Sequence, residues 1–198
     1  MQQDPIVVFS LGKTGTTTVA EALQAATGRT VVKAHALSRT GLDIRYEKAE
    51  RLGVAERPRH LWRCEEIANI LRSGGSWDLI CGIRDPVAAA VSDHFYGLQL
   101  QVAANQTPWI DDGDTAAHAR AIERTLETMW CDVDWFETEL QAITDIDVYA
   151  KPFDVDRGFG VYEQDRFRAI VIRAEDLSLA GPQALADYVG LNKPLEMK

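Results

Sequence analysis

Short apolar runs separated by polar, glycine-bearing breaks recur along the chain and predict alternating strands and helices. Ile6-Val7-Val8-Phe9 is β-branched and aromatic and reads as the first strand. Residues 12–16 form a glycine-bearing turn. Residues 17–26 then read as a helix, with Val19, Ala20, Leu23 and Ala26 on one face. Residues 30–34 are a short second strand. Residues 36–59 are polar, rich in Arg, and read as irregular; residues 60–72 are helical and end at Gly74-Gly75. Residues 77–83 are a third strand, apolar enough to be buried on both faces. Pro86 suits the first turn of a helix running from about residue 87 past residue 98. Asp111-Asp112-Gly113-Asp114 is a loop that caps a long helix, roughly 115–143. Residues 147–150 read as a fourth strand, 167–173 as a fifth, and 181–189 as a closing helix. No internal repeat and no low-complexity linker interrupts the series.

Strands alternating with helices imply a three-layer α/β domain with a central parallel sheet of about five strands. The whole chain, 1–198, reads as one domain, with residues 97–143 as a helical insertion or lid. In such sheets ligands bind at the carboxyl ends of the strands, which singles out residues 11–18, His35, Arg84, Lys151 and Glu175.

The segment Ser10-Leu11-Gly12-Lys13-Thr14-Gly15-Thr16-Thr17-Thr18 follows a strand and opens a helix. Glycines let the backbone turn tightly and aim its N–H groups at an anion, and the helix N-terminus adds partial positive charge. Lys13 supplies a full charge and the threonine hydroxyls supply donors, so the loop reads as a phosphate cradle. Gly12-Lys13-Thr14 matches the end of the nucleotide loop G-x-x-x-x-G-K-[ST], but the first glycine of that pattern falls on Val7, inside the strand. Arg84 precedes Asp85 after the third strand, so an acidic magnesium partner is not in the expected place. A magnesium- and ATP-dependent P-loop kinase therefore stands as an alternative, as does a noncatalytic nucleotide-binding protein of the same fold.

Lys13-Thr14-Gly15-Thr16-Thr17 resembles the K-[ST]-G-T-T loop of sulfotransferases that use PAPS (3′-phosphoadenosine 5′-phosphosulfate), in which the loop wraps the 5′-phosphosulfate. Ile83-Arg84-Asp85-Pro86-Val87-Ala88-Ala89-Ala90-Val91-Ser92 resembles that family's R-[ND]-P-x₅-S segment, whose Arg and Ser hold the 3′-phosphate. Lys33-Ala34-His35 resembles its K-x-H triplet, in which the His is the catalytic base and the Lys assists. Val171-Ile172-Arg173-Ala174-Glu175-Asp176-Leu177 is similar to the [LV]-x-x-x-E-D-[LM] strand end of the superfamily. These segments keep family order and span residues 6–177. Trp135-Phe136 and residues 148–154 and 158–162 resemble a bacterial branch of capsular polysaccharide synthesis proteins.

The resemblance implies a three-layer P-loop fold and an enzyme that moves a sulfuryl group from PAPS to an acceptor hydroxyl or amine, on a carbohydrate or small molecule, releasing PAP. It implies that Lys13, Thr14, Gly15, Thr16, Thr17 and Thr18 hold the 5′-phosphosulfate, that Arg84 and Ser92 hold the 3′-phosphate, and that Lys13, Lys33 and His35 are catalytic, with no metal. Gly12 stands where many members have Pro, Thr18 where many have Trp, and the C-terminal R-K-G segment has no counterpart here. Adenine and 3′-phosphate recognition is thus expected to be weaker or rebuilt.

Composition narrows the partners. The net charge of −9 argues against a general nucleic-acid binder, whose affinity rests on neutralising phosphates. The longest uncharged stretches, such as 98–110, contain Gln, Asn and Pro, so no membrane span is expected. No signal peptide is visible at the start, and Cys64, Cys81 and Cys131 read as reduced thiols of a cytoplasmic protein. His94 is expected in a structural or rim role, and His60 and His118 on the surface. The triplets Asp132/Asp134, Asp145/Asp147 and Asp154/Asp156 read as surface and turn charges rather than a metal-dependent glycosyltransferase motif. Arg39, Arg45, Arg51, Arg57, Arg59 and Arg63 are the main basic concentration and read either as a solvated, salt-bridged surface or as a site for an anionic acceptor or donor beside the pocket. Trp62, Trp109, Trp130 and Trp135 are core or cleft residues, and Glu139 and Lys151 are expected at the pocket rim.

Overall fold

The computed structural model describes residues 5–51, 59–103, 110–111, 113–129 and 134–197. Residues Met1 to Asp4, Arg57, Trp109, Asp112, Trp130, Cys131 and Asp132, which enter the expectations above, lie outside the described residues. The chain divides into two compact units, one of Met1–Ile83 with Asp134–Lys198 and one of Arg84–Val133.

The first unit is built on a five-stranded sheet: β1 (Ile6–Phe9), β2 (Val31–Ala34), β3 (Trp77–Ile83), β4 (Phe159–Gln164) and β5 (Phe167–Arg173), in the order β2-β1-β3-β5-β4. Strands β1, β2, β3 and β5 are parallel. Alternating side chains feed two cores. Val7, Phe9, Leu79, Cys81, Ala169 and Val171 face Cys64, Ala68 and Leu71 of α3 (Arg59–Arg72). Ile6, Val8, Ile80, Ile170 and Ile172 face Val19, Ala20 and Leu23 of α1 (Thr16–Thr27). Ala184, Leu185 and Tyr188 of the closing helix, Gly181–Val189, join that second core. Both faces of the central strands are therefore covered, as their continuous apolar runs require.

Several expectations need correction. The described part of residues 36–59 is not irregular: α2 (Arg39–Arg51) lies there, capped by Ser38, whose Oγ accepts the Gly41 N–H at 2.9 Å, while residues 52–58 lie outside the described residues. Of its described apolar side chains Leu42 is buried while Ile44 is exposed, so no clear helical stripe is legible. Residues 147–150 are a turn rather than a strand, with Asp147 Oδ1 accepting the Tyr149 N–H at 2.8 Å. The fourth strand is instead β4, antiparallel to β5 through the two-residue connection Asp165-Arg166, which pairs Gln164 with Phe167. A loop that short admits only an antiparallel pair, so the sheet is mixed rather than wholly parallel. Over the expected long helix 115–143 the chain forms α5 (Thr115–Met129), then a π-helical turn at Phe136–Gln141 running into α6 (Ala142–Thr144). The closing helix is thus α7.

The second unit contains α4 (Pro86–Ala103) and α5. His94 Nε2 and His118 Nδ1 lie 2.8 Å apart, both buried, so His118 is interior and not a surface residue. The 24-residue separation hides this pairing from any spacing rule. Among the described residues no helix is long and apolar enough to cross a membrane.

Candidate functional site

The chain leaves β1 for β2 on one side and later returns to β3 on the other, which makes the carboxyl end of β1 the switch point of the sheet. The loop from Ser10 to Gly15 occupies it. Ser10 Oγ and Thr14 Oγ1 share a hydrogen bond of 2.8 Å, and Thr14 Oγ1 donates to Leu11 O at 2.9 Å. Thr14 is buried against β3 so closely that a Cβ on Gly82 would come within 2.9 Å of its Cβ, Oγ1 and carbonyl oxygen. Lys13 (φ 67°) and Gly15 (φ 80°) both take left-handed conformations that turn the loop into α1. Gly15 is the N-cap, and α1 has neither a side-chain cap nor an acidic residue in its first turn. Its terminal N–H groups and dipole are therefore not answered by its own side chains. Thr16 is buried, and Thr17 Oγ1 accepts a hydrogen bond from Lys33 Nζ at 3.2 Å.

The end of β2 lies alongside. Phe9 is in register with Ala34, and Ser10 N–H donates to Ala34 O. His35 Nδ1 approaches Ser10 O at 2.7 Å. A carbonyl only accepts, so Nδ1 carries the proton and Nε2 presents its lone pair. Burial lowers the pKa of His35 below its ordinary value. The Ser10 carbonyl opposes this, while Arg45, Lys33 and His60 reinforce it as neighbouring positive charges. The His35 carbonyl accepts from Arg45 Nη2 and from Trp135 Nε1, each at 3.3 Å. Trp135 is a core residue packed against Phe9, with tilted rings whose centroids are 4.7 Å apart.

Glu139 is not at a pocket rim. It is 3% exposed, and its Oε2 accepts the N–H groups of Leu37 and Ser38, both at 2.8 Å. Burial raises its pKa above the ordinary carboxylate value, opposed by those two backbone bonds, by the Arg45 charge and by the Ser38 side chain. No sequence signal links residues about a hundred positions apart, and both this contact and the role of Arg45 escape spacing arguments.

The fold thus brings residues 13–18, Lys33 and His35 to one place. Arg84 follows the last residue of β3 in the chain, and Ser92 lies two turns into α4; both belong to the second unit. Lys151 donates to Val161 O and sits over the Tyr162 ring, 4.7 Å from its centroid. Glu175 lies in the 3₁₀ turn after β5. A groove of about 690 Å³ runs along α1 from Thr18 past Ala22 and Ala25, walled opposite by residues 191–194 and Glu196. Among the described residues no group of three or more His, Cys, Asp or Glu is placed to hold a metal ion. Cys64 and Cys81 are buried free thiols, and burial pushes the Cys81 pKa far up.

A family model named NKWYS and described as "Putative capsular polysaccharide synthesis protein" matches residues 118–198. The match covers less than half of the chain; it takes in Glu139, β4, β5 and α7 but not the loop after β1. No match was found among curated proteins or among solved structures.

Proposed function

We propose that this chain is a sulfotransferase of P-loop fold that moves the sulfuryl group of PAPS to a hydroxyl or amine of a carbohydrate acceptor. The observation that carries the reading is the 2.7 Å bond from His35 Nδ1 to Ser10 O. It sets a neutral imidazole with an unprotonated Nε2 just past the end of β2, beside the loop after β1, and this supports reading His35 as a general base next to a phosphate cradle. The loop fits the phosphosulfate end of the donor: two left-handed residues, an uncapped helix N-terminus and Lys13 present positive potential and N–H donors to an oxyanion.

In the proposed transfer, the acceptor oxygen or nitrogen bonds to sulfur as the bond from sulfur to the bridging phosphate oxygen breaks. His35 Nε2 takes the acceptor's proton. Lys13 and the first amides of α1 stabilise the charge that develops on the departing PAP. Lys33, already tied to Thr17 at 3.2 Å, neutralises sulfuryl oxygens. Arg84 and Ser92 are assigned to the 3′-phosphate on the resemblance of their segment. The groove beside Thr18 has the volume for a nucleoside and apolar alanines to meet a base. The similarity to a capsular polysaccharide synthesis family supports a carbohydrate acceptor.

A thermal-shift titration tests the reading. Stabilisation by PAP but not by AMP, unaffected by magnesium, is expected; a ligand at 100 times its Kd adds about 2.7 kcal/mol. Stabilisation only by ATP with magnesium would overturn it in favour of a kinase.

A further inference from the structure

Glu139 buries a carboxylate that takes no part in the chemistry proposed above. A buried charge is costly unless it is paired and fully hydrogen-bonded, so its partners show what it is there to hold. Those partners are the N–H groups of Leu37 and Ser38, both at 2.8 Å. They lie at the amino end of α2, where a negative charge also meets the positive end of the helix dipole. The stretch from His35 to Ser38 is the whole connection between β2 and α2. Its first residue is His35, whose carbonyl is held by Arg45 and Trp135. Trp135 immediately precedes the π-helical turn that carries Glu139, so that turn grips the connection twice, once at each end. Gly41 leaves the space the carboxylate needs: a Cβ there would fall 1.5 Å from Glu139 Oε1.

We infer that Glu139 is a positioning residue for His35: by clamping the Leu37 and Ser38 amides it holds the imidazole against Ser10, and so maintains the Nδ1–H tautomer that leaves Nε2 basic. The inference rests on the reading of His35 as the base. Glu139 does not touch the acceptor or the donor.

The test is long-range ¹H–¹⁵N spectroscopy of the imidazoles in the full chain between pH 5 and 8, with His35→Asn to assign the His35 signals. In wild type, His35 should show the Nδ1–H tautomer and a titration midpoint below 6.5. Glu139→Gln keeps an acceptor oxygen and should preserve both. Glu139→Leu removes it and should shift His35 towards the Nε2–H tautomer of free histidine, with its midpoint rising towards the ordinary value. PAP affinity in that variant should stay within about twofold, since the phosphate cradle after β1 keeps its own backbone and hydroxyl bonds. A folded Glu139→Leu protein with unchanged His35 tautomer and midpoint would overturn the inference. So would a tenfold loss of PAP affinity, which would mean general damage. If Glu139→Leu does not fold, Gly41→Ala carries the test, because its methyl group displaces the carboxylate. It should shift His35 as Glu139→Leu does, and an unchanged His35 signal would refute the clamp. Failure of PAP to bind wild type would remove the sulfotransfer reading alone, because the spectra report on the ring itself.

Discussion

Gly41→Ala sets two ordinary expectations against each other. Gly41 lies inside α2, three residues after its cap Ser38, and alanine in a helix interior is favoured over glycine by about 1 kcal/mol. Local propensity therefore predicts a more stable protein. The tertiary structure predicts the reverse. The new methyl would sit 1.5 Å from Glu139 Oε1 and 2.6 Å from its carboxyl carbon, so the carboxylate must leave its site. It then gives up the Leu37 and Ser38 N–H groups, and hydrogen bonds to a charged partner are worth about 1.5–3 kcal/mol each. After allowing for the helix gain, the net loss is about 2–5 kcal/mol. For a domain of this size, that lowers Tm by roughly 5–15 °C. Urea denaturation followed by circular dichroism gives the value, and a double-mutant cycle gives its cause. In a Glu139→Ala background the clash is gone, and Gly41→Ala should change sign and stabilise by about 1 kcal/mol. A neutral or stabilising effect in wild type would refute the reasoning, as would an equal loss in both backgrounds.

Lys13→Met should weaken PAP binding at least tenfold and lower any turnover sharply, read by calorimetric titration, because it removes a full charge from the proposed cradle. Arg84→Ala should abolish the preference for PAP over AMP, and an unchanged ratio of the two affinities would sink the 3′-phosphate assignment. If His35 is the base, sulfotransfer should fall tenfold per pH unit on the acid side, with a midpoint below 6.5, and His35→Ala should remove that limb. The same depressed pKa has a stability consequence. Below pH 6.5 the unfolded chain takes up a proton at this position more readily than the folded one, so stability should decline as pH falls from 6.5 through the folded midpoint. Wild type minus His35→Ala, compared by urea denaturation at pH 7 and pH 5.5, isolates that contribution.

Strands β1, β3 and β5 were legible because each carries an apolar run, Ile6–Phe9, Leu79–Cys81 and Ala169–Ile172, the pattern of a strand buried on both faces. Helix α3 and the helix after Pro86 were legible from periodicity and stop signals. Strand β4 was not: it carries Gly160, ends in the polar pair Glu163-Gln164, and has β5 as its pairing neighbour in the sheet, so its apolar content is thin. The interior place of His118 was equally hidden, since its burial comes with pairing to His94 on another helix.

The loop after β1 could be picked out as a candidate anion cradle from the chain alone, because its chemistry is contiguous: strand, glycines, lysine and helix start follow one another within a dozen residues. His35 was a candidate from its place just after a strand, and Lys33 entered with it on the resemblance of the Lys33-Ala34-His35 triplet. Tertiary structure alone decided which nitrogen of His35 carries the proton, because the acceptor that settles it is a backbone carbonyl 25 residues away. It alone decided that Glu139 is an interior clamp rather than a rim charge, because its partners lie more than a hundred residues upstream. Local sequence determines torsions and patterns of burial; the partner of a buried polar group is chosen only when distant segments close over it and water is excluded.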